Sequence, residues 1–200
     1  MTEKKFKIQS IKPAYTGFFE LNILQFKHLR YQGGWSQTFS RELFQRGQAV
    51  VVLLYDATEK QVVLVEQCRV GAVFNAQTSS DQEQAWLLEP VAGMIDLGES
   101  AEEAGIRETQ EETGATIHEL EYICQFYPSP GACNEILHLY AAHISIRSLS
   151  EYAGLASENE DIKVVKLSFH EAKKRLLKAE FNVASTYIAL QWLFFQKKIG

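Results

Sequence analysis

Six glutamates and one arginine are concentrated in residues 93–115, a run of 23 residues that also contains Gly93, Gly98 and Gly114. So much negative charge repels itself unless a cation lies among it, and Arg107 alone cannot neutralise the set. Carboxylate oxygens select hard cations, so Mg²⁺ or Mn²⁺ is the expected occupant. The run therefore predicts a divalent-metal site.

A helix over about residues 100–113 is predicted to present carboxylates on one face. On a helical wheel, Glu108, Glu111 and Glu112 fall within about 100° of one another. Small residues lie over the same arc one to two turns earlier, namely Ala101, Ala104 and Gly105. This is the spacing of the stripe that a helix turns towards the core. Because a carboxylate facing the protein interior is costly unless it is paired or binds metal, the pattern favours a metal site.

Such a site points to phosphate chemistry. Mg²⁺ held by one or two carboxylates completes its shell with water and substrate phosphate oxygens, so the inferred reaction is metal-assisted attack of water on phosphorus. The alternative is a solvated charged face, as in most glutamate runs. That alternative leaves Gly93 and Gly98 unexplained, whereas a tight loop with carbonyls directed at a metal uses them. Gly114 is predicted to cap the helix C-terminus.

The rest of the composition argues against several other functions. With a net charge of −5 and scattered basic residues, the 200-residue chain lacks the basic surface of a nucleic-acid-binding protein. No apolar run is long enough to span a bilayer and the N-terminal residues do not resemble a signal peptide, so we expect no membrane partner and a cytoplasmic location. The three cysteines share no CxxC spacing and the five histidines form no HExxH pattern, which disfavours a zinc hydrolase.

Apolar segments on both sides of this helix predict strands, and we expect an α+β or mixed α/β fold rather than a doubly wound parallel sheet. The predicted strands cover an antiparallel meander at 17–46 and segments 48–55, 61–70, 86–95, 117–126, 136–146 and 162–167. Two C-terminal helices are predicted over about residues 168–179 and 183–197. We expect residues 1–46 to form an N-terminal antiparallel β subdomain and residues 47–200 to form the catalytic domain.

The run at 93–115 resembles the Nudix box, Gly-x5-Glu-x7-Arg-Glu-U-x-Glu-Glu-x-Gly-U, in which U is apolar. All seven invariant positions are filled, and the departure is Thr109 at an apolar position. The resemblance implies a Nudix fold, a mixed sheet sandwiched between helices, which hydrolyses a nucleoside diphosphate linked to another group. It also implies roles for the box residues. Glu108, Glu112 and the Ala92 carbonyl would bind metal, Glu111 would assist, and Glu99 would hold Arg107.

Segments outside the box are similar to those of bacterial-type ADP-ribose pyrophosphatases within this family. They are the strand at 86–95, the marker Ser129-Pro130-Gly131, the acidic loop at 155–162 and the closing helix at 182–193. The similarity implies Mg²⁺-dependent hydrolysis of ADP-ribose to AMP and ribose 5-phosphate. Hydrolysis of other nucleotide sugars or dinucleotides is the alternative within the family. A non-catalytic nucleotide-sensing module is a further alternative, but such proteins usually lack box glutamates, which are complete here.

The acidic loop supplies the candidate general base. Glu158, Glu160 and Asp161 lie in a turn-rich segment that can close over a substrate and bring a carboxylate to the attacking water. By the resemblance, we assign Glu158 as the general base and Glu160 as its support. Without the resemblance, a solvated acidic loop is the simpler interpretation.

The resemblance also assigns substrate contacts and a dimer. Arginines at matching positions contact phosphates and ribose in the subfamily, which makes Arg69, Arg41 and Arg46 candidates, with surface ion pairs as the alternative. Glu135 and the marker Pro130 are further candidates for substrate contact. In this subfamily the N-terminal strands reach a second subunit, so we expect a homodimer with shared sites.

Overall fold

The computed structural model describes residues 3–199, except for the side chains of Ser148 and Glu158. The chain folds into two compact units. The first contains residues 3–48 and 127–136, and the second contains residues 49–126 and 137–199.

A three-stranded antiparallel sheet forms the main part of the first unit. Its strands are Phe6–Thr16 (β1), Glu20–His28 (β2) and Phe39–Gln45 (β3), in the order β1–β2–β3. The meander predicted at 17–46 is present, but the sheet begins ten residues or so earlier. The sequence hides β1 because two register shifts, between Ile8 and Ser10 and between Pro13 and Tyr15, break its alternation.

A mixed eight-stranded sheet forms the centre of the second unit. Its strands are Gln48–Asp56 (β4), Gln61–Cys68 (β5), Trp86–Glu89 (β6), Val91–Met94 (β7), Glu121–Phe126 (β8), Ile136–His143 (β9), Tyr152–Ala153 (β10) and Ile162–Ser168 (β11). The order is β10–β11–β5–β4–β9–β8, with β6 paired to β5 and β7 paired to β4. The helices are Val70–Ala76 (α1), Ala101–Thr113 (α2), Phe169–Leu177 (α3) and Ala184–Gln191 (α4), which continues into a π-helical turn at Trp192–Gln196. Within residues 3–199, no helix is long and apolar enough to cross a membrane.

Helices cover both faces of this sheet. On one face, Val50 and Val52 of β4 share a core with Ala104 of α2. On the other face, Val51 of β4 shares a core with Leu190 of α4 and the buried residues of α3. Alternate side chains of one strand therefore serve two helical layers. The predicted α+β class and the sheet sandwiched between helices are both confirmed.

Local signals fix both ends of α2 and its distance from the sheet. Ser100 and Glu103 form a capping box at the N-terminus, and Gly114 ends the helix in the left-handed region at φ 73°. Gly105 allows close packing, since a Cβ there would lie 2.9 Å from Leu120 Cδ1 and 3.1 Å from Val52 Cγ2. A glycine that weakens the isolated helix therefore brings it near the sheet.

Three differences from the predicted elements concern segments before and after the box. The single strand predicted at 86–95 is two strands, because Pro90 lacks an N–H and the chain passes from pairing with β5 to pairing with β4 there. The strand predicted at 61–70 ends at Cys68, and Val70 begins α1, a helix whose N-terminus has no side-chain cap in its sequence. The strand predicted from residue 117 begins at Glu121.

Candidate active site

The carboxylates of α2 lie against strand β7. Glu112 is 1% exposed, and its Oε2 accepts a hydrogen bond from the Ala92 backbone N–H at 3.2 Å. Glu108 occupies the space over Gly93, where a Cβ would lie 2.5 Å from Glu108 Oε2 and closer still to its other carboxylate atoms. Glu108 can therefore reach this position only because residue 93 has no side chain.

The positive charge near Glu108 and Glu112 is too small to stabilise both carboxylates in their ionised form. Burial raises the pKa of Glu112 well above its usual range, and burial also raises the pKa of Glu108. The charge of Glu108 acts in the same direction on Glu112. A cation bound between the two would lower both pKa values.

Arg107 compensates the outer part of the cluster. Its guanidinium binds Glu99 through Nε at 3.0 Å and Nη2 at 2.9 Å, and Nη2 also donates to the Met94 carbonyl. Its Nη1 donates to Glu108 at 2.7 Å and to Glu111 at 3.2 Å. The hydrogen bond from Arg107 holds the pKa of Glu99 below its usual range. Arg107 thus ties the box loop to the helix and occupies oxygens of three glutamates.

The donor set fits a hard divalent cation. Among the described residues, no three Asp, Glu, His or Cys side chains converge closely enough to hold a metal ion. The chemistry of the donors is nevertheless that of a magnesium site, because two carboxylates meet the backbone of β7 at its contact with α2. Glu112 is buried there and Glu108 is partly buried, and burial raises the pKa of each.

The acidic loop is fastened to the C-terminal half of α2. The Gly154 N–H donates to the Glu111 carbonyl at 3.3 Å, and the Leu155 N–H donates to Glu160 Oε2 at 3.4 Å. Gly154 has a φ of 98°, and a Cβ there would lie 2.9 Å from the Glu160 carbonyl oxygen. Burial is the largest cause of the raised pKa values of Glu108 and Glu112, and the charge of Glu160 raises both further. The loop therefore brings Glu160 within electrostatic reach of them.

The predicted general base cannot be placed in the same way. The backbone of Glu158 ends a 3₁₀ turn at Ala156–Glu158, but its side chain lies outside the described residues. Its role stays a prediction.

Arg69 is held by a carboxylate that the sequence did not single out. Its Nε donates to Glu89 Oε2 at 2.6 Å, and the Glu89 side chain is only 13% exposed. Glu89 pairs with Val65, which shares a core with Ala104 of α2, so the carboxylate that holds Arg69 lies on the face of the sheet that carries the cluster. One signal was available in the sequence, since Glu89 is an acidic residue in an otherwise apolar strand.

Two predicted substrate residues meet in the first unit. Arg46 Nη1 lies 3.2 Å from Glu135 Oε1, and the Arg46 backbone N–H donates to Asn134 Oδ1 at 3.0 Å. The guanidinium lies over the Phe19 ring at 4.9 Å. Its Nε is buried without a hydrogen-bond partner in the described part of the chain. Arg46 and Glu135 therefore form one polar cluster.

The other two candidates in this unit lie apart from that pair. Arg41 stacks on Phe39 at 4.8 Å and donates to the Ser40 carbonyl. Pro130 is exposed in a turn that the Cys133 N–H closes by donating to the Ser129 carbonyl. Neither contact tests a role in substrate binding.

Comparison with known proteins bears on this geometry. The family model for the NUDIX domain matches residues 45–188. An ADP-ribose pyrophosphatase of Haemophilus influenzae is 36% identical over 192 residues, covering 96% of this chain and 87% of that protein. An ADP-ribose pyrophosphatase of Escherichia coli K12 is 38% identical over 179 residues, covering 90% and 83%. A GDP-mannose pyrophosphatase of Shigella flexneri serotype 5b is 35% identical over 154 residues, covering 76% of each chain.

The matched region contains the box, the sheet that supports it and the acidic loop, so the likeness includes every element that builds the carboxylate cluster. Relatives above 30% identity are covered over most of their length. The chain belongs to the Nudix family.

Proposed function

We propose that this protein hydrolyses the pyrophosphate bond of ADP-ribose, giving AMP and ribose 5-phosphate, with Mg²⁺ as cofactor and Mn²⁺ as a possible substitute. The observation that carries the proposal is the pair of carboxylates beside Gly93, the buried Glu112 and the partly buried Glu108. The relatives of the chain include two ADP-ribose pyrophosphatases covered over most of their length. Such a pair of carboxylates fits the binding of a cation with a diphosphate.

Glu108, Glu112 and the Ala92 carbonyl would hold the cation in this proposal. When bound, Mg²⁺ would neutralise charge on the diphosphate and acidify the attacking water. The water oxygen attacks one phosphorus, the bond from that phosphorus to the bridging oxygen breaks, and a carboxylate takes the proton that the water loses. Glu158 is our first candidate for that base. Glu160 is the second, and it is supported by its charge, which adds to burial in raising the pKa values of Glu108 and Glu112.

The remaining residues would orient the reacting groups. Arg107, held by Glu99, fixes the loop and helix that carry the cluster, and Glu111 assists at its edge. We propose substrate contacts for Arg69, Arg41, Arg46, Glu135 and Pro130. Arginine forks suit phosphate oxygens because their donors match the planar arrangement of two acceptors.

The substrate is tested by incubating the purified protein with Mg²⁺ and ADP-ribose, beside GDP-mannose and a dinucleotide such as diadenosine diphosphate. We expect nucleoside monophosphate release, AMP or GMP according to the substrate, to be fastest from ADP-ribose. The relative that is a GDP-mannose pyrophosphatase favours other nucleotide sugars as the second candidate. Faster hydrolysis of GDP-mannose would move the assignment there, and no hydrolysis of any of the three would support a non-catalytic nucleotide-sensing module.

The base is tested by Glu158→Gln and Glu160→Gln. The variant that lacks the base should have a lower turnover number than the wild type. The Mg²⁺ concentration that it needs for half-maximal rate should change little, because the base does not bind the cation. If Glu158→Gln only raises the Mg²⁺ requirement, the base assignment is wrong.

We propose a homodimer that uses the N-terminal subdomain, residues 1–46. Strand β1 exposes large apolar side chains, among them Phe6 at 68% and Tyr15 at 65%, and contiguous exposed apolar surface is typical of interaction sites. Sedimentation equilibrium should give twice the chain mass of 22.7 kDa. A monomeric mass at micromolar concentration would contradict the proposal.

A cytoplasmic location is the last part of the proposal. All three cysteines are free thiols, as is usual in a reducing compartment.

A further inference from the structure

Glu89 is a largely buried carboxylate that the proposed reaction does not use. It lies in β6 after Trp86, Leu87 and Leu88, and its side chain is 13% exposed. A carboxylate in such a place is costly unless a cation pairs with it. Arg69 provides that cation through one short hydrogen bond, from Nε to Glu89 Oε2 at 2.6 Å.

The contact leaves most of the Arg69 guanidinium available. Within the described residues, the bond to Glu89 is the one hydrogen bond that this side chain makes, so the four N–H groups on Nη1 and Nη2 remain for another acceptor. Arg69 is 36% exposed whereas Glu89 is 13% exposed. The carboxylate therefore holds the guanidinium from the inner side and leaves its outer edge open.

The open edge belongs to the face of the sheet that carries the cluster. Glu89 pairs with Val65 in the antiparallel register of β5 and β6, so the two side chains share a face. Val65 belongs to the same core as Ala104 of α2. Glu112 of α2 lies over this face, against the neighbouring strand β7, where it accepts a hydrogen bond from the Ala92 N–H.

We infer that Glu89 is a positioning residue, which holds Arg69 side-on so that its terminal nitrogens face a phosphate of the substrate. The inference rests on the proposed function, in which a diphosphate binds at this face. Without the Glu89 charge, Arg69 loses the one hydrogen bond that its side chain makes within the described residues, so the guanidinium would no longer be fixed in front of the substrate.

The main test is Glu89→Gln in the full-length protein, with Glu66→Gln as the matched control. Glu66 also lies in this sheet and forms an ion pair, with Lys163 at 3.9 Å, but its side chain is 39% exposed. For Glu89→Gln we expect KM to rise about tenfold, the equivalent of about 1.4 kcal/mol, with a smaller change in kcat. Calorimetric binding of inorganic pyrophosphate in the presence of Mg²⁺ should weaken by a similar factor. The control should match the wild type in both measurements.

A double-mutant cycle with Arg69→Ala separates positioning from a general structural role. If Glu89 acts through Arg69, adding Glu89→Gln to Arg69→Ala should weaken pyrophosphate binding no further. Independent effects that multiply would overturn the inference, as would unchanged KM and pyrophosphate binding in Glu89→Gln.

Two further measurements keep the test decisive. If Glu89→Gln does not fold, Glu89→Asp and Glu89→Ala replace it in the test. Glu89→Asp retains the charge and should keep more affinity for pyrophosphate than Glu89→Ala. Equal losses of affinity in these two variants would overturn the inference. Failure of the wild type to hydrolyse ADP-ribose would contradict the proposed substrate alone, because the pyrophosphate cycle does not depend on it. Failure of the wild type to bind pyrophosphate would overturn the role of Glu89.

Discussion

Replacing Gly93 by alanine should remove most of the activity and leave the fold almost unchanged. Gly93 lies in β7 opposite Val50, and its backbone is not in the left-handed region. Alanine therefore adds no backbone strain, and in a strand it is more favourable than glycine by about 0.5–1 kcal/mol. Any damage must come from the space that the new methyl group takes.

That space belongs to Glu108. The added Cβ would lie 2.5 Å from Glu108 Oε2 and closer to the other two carboxylate atoms. Since non-bonded contacts need roughly 3.5 Å, the carboxylate must retreat by about 1 Å or more. It can do so because it ends a flexible side chain, at the cost of its hydrogen bond to Arg107, and a hydrogen bond between charged groups is worth about 1.5–3 kcal/mol. The opposing terms leave the free energy of unfolding within about 2 kcal/mol of the wild type.

The same displacement is far more harmful to catalysis. Misplacing a catalytic group by about 1 Å can cost about 100-fold in rate, so we expect kcat/KM for ADP-ribose to fall by about that factor, or about 2.7 kcal/mol. AMP release across a series of Mg²⁺ concentrations measures this loss, and thermal unfolding measures the stability.

Gly71→Ala is the control for the Gly93 variant. Gly71 lies in α1, where a Cβ would meet nothing within 4 Å, so this variant should hydrolyse the substrate normally. Normal turnover in Gly93→Ala would refute the placement of Glu108 in the reaction. A large loss of stability would instead refute the argument that the carboxylate can move aside.

Two other substitutions test the site and the fold separately. Glu112→Gln should abolish metal-dependent turnover and the thermal stabilisation by Mg²⁺ while the protein stays folded, because the amide oxygen can still accept from the Ala92 N–H; normal turnover would contradict the ligand assignment. Asp56→Asn should lower the free energy of unfolding at pH 7 by about 1–3 kcal/mol, since the buried carboxylate accepts from the backbone N–H groups of Thr58, Glu59 and Ile146. Those hydrogen bonds, of which the one from Glu59 has the largest effect, hold the pKa of Asp56 below its usual value. The stability that the carboxylate adds is therefore present above about pH 4 and is lost as the pH falls through the lowered pKa. The free energies of unfolding in urea of the wild type and of Asp56→Asn should differ above about pH 4 and converge below it.

The local chemistry of α2 is predictable from sequence because its determinants lie within one or two helical turns. Ser100 and Glu103 form the capping box three residues apart, and Gly114 ends the helix as expected. The stripe of small residues and carboxylates follows from the helical period alone. The prediction of a site at residues 93–115 therefore needed no tertiary information.

Contacts between distant segments could not be predicted in the same way. Glu89 and Arg69 lie 20 residues apart, and they meet because β6 pairs with β5 after a chain segment that includes α1. Sequence alone also suggests that Gly105 weakens the helix, whereas the packing against Leu120 and Val52 shows why glycine is there. In both cases the reason lies in the neighbouring strand, which periodicity does not identify.

The helical period also explains how adjacent glutamates take different parts. A helix turns by about 100° per residue, so Glu111 and Glu112 cannot face the same surroundings. Glu111 turns to the outer side, where Arg107 pairs with it and 27% of its side chain is exposed, whereas Glu112 is 1% exposed against β7. Glu108 lies one turn before Glu112, so it also faces β7, and there the missing side chain of Gly93 gives it room. Identical residues in one short run therefore divide into Glu111 on the outer side, Glu112 buried against β7, and Glu108, which faces β7 and also pairs with Arg107.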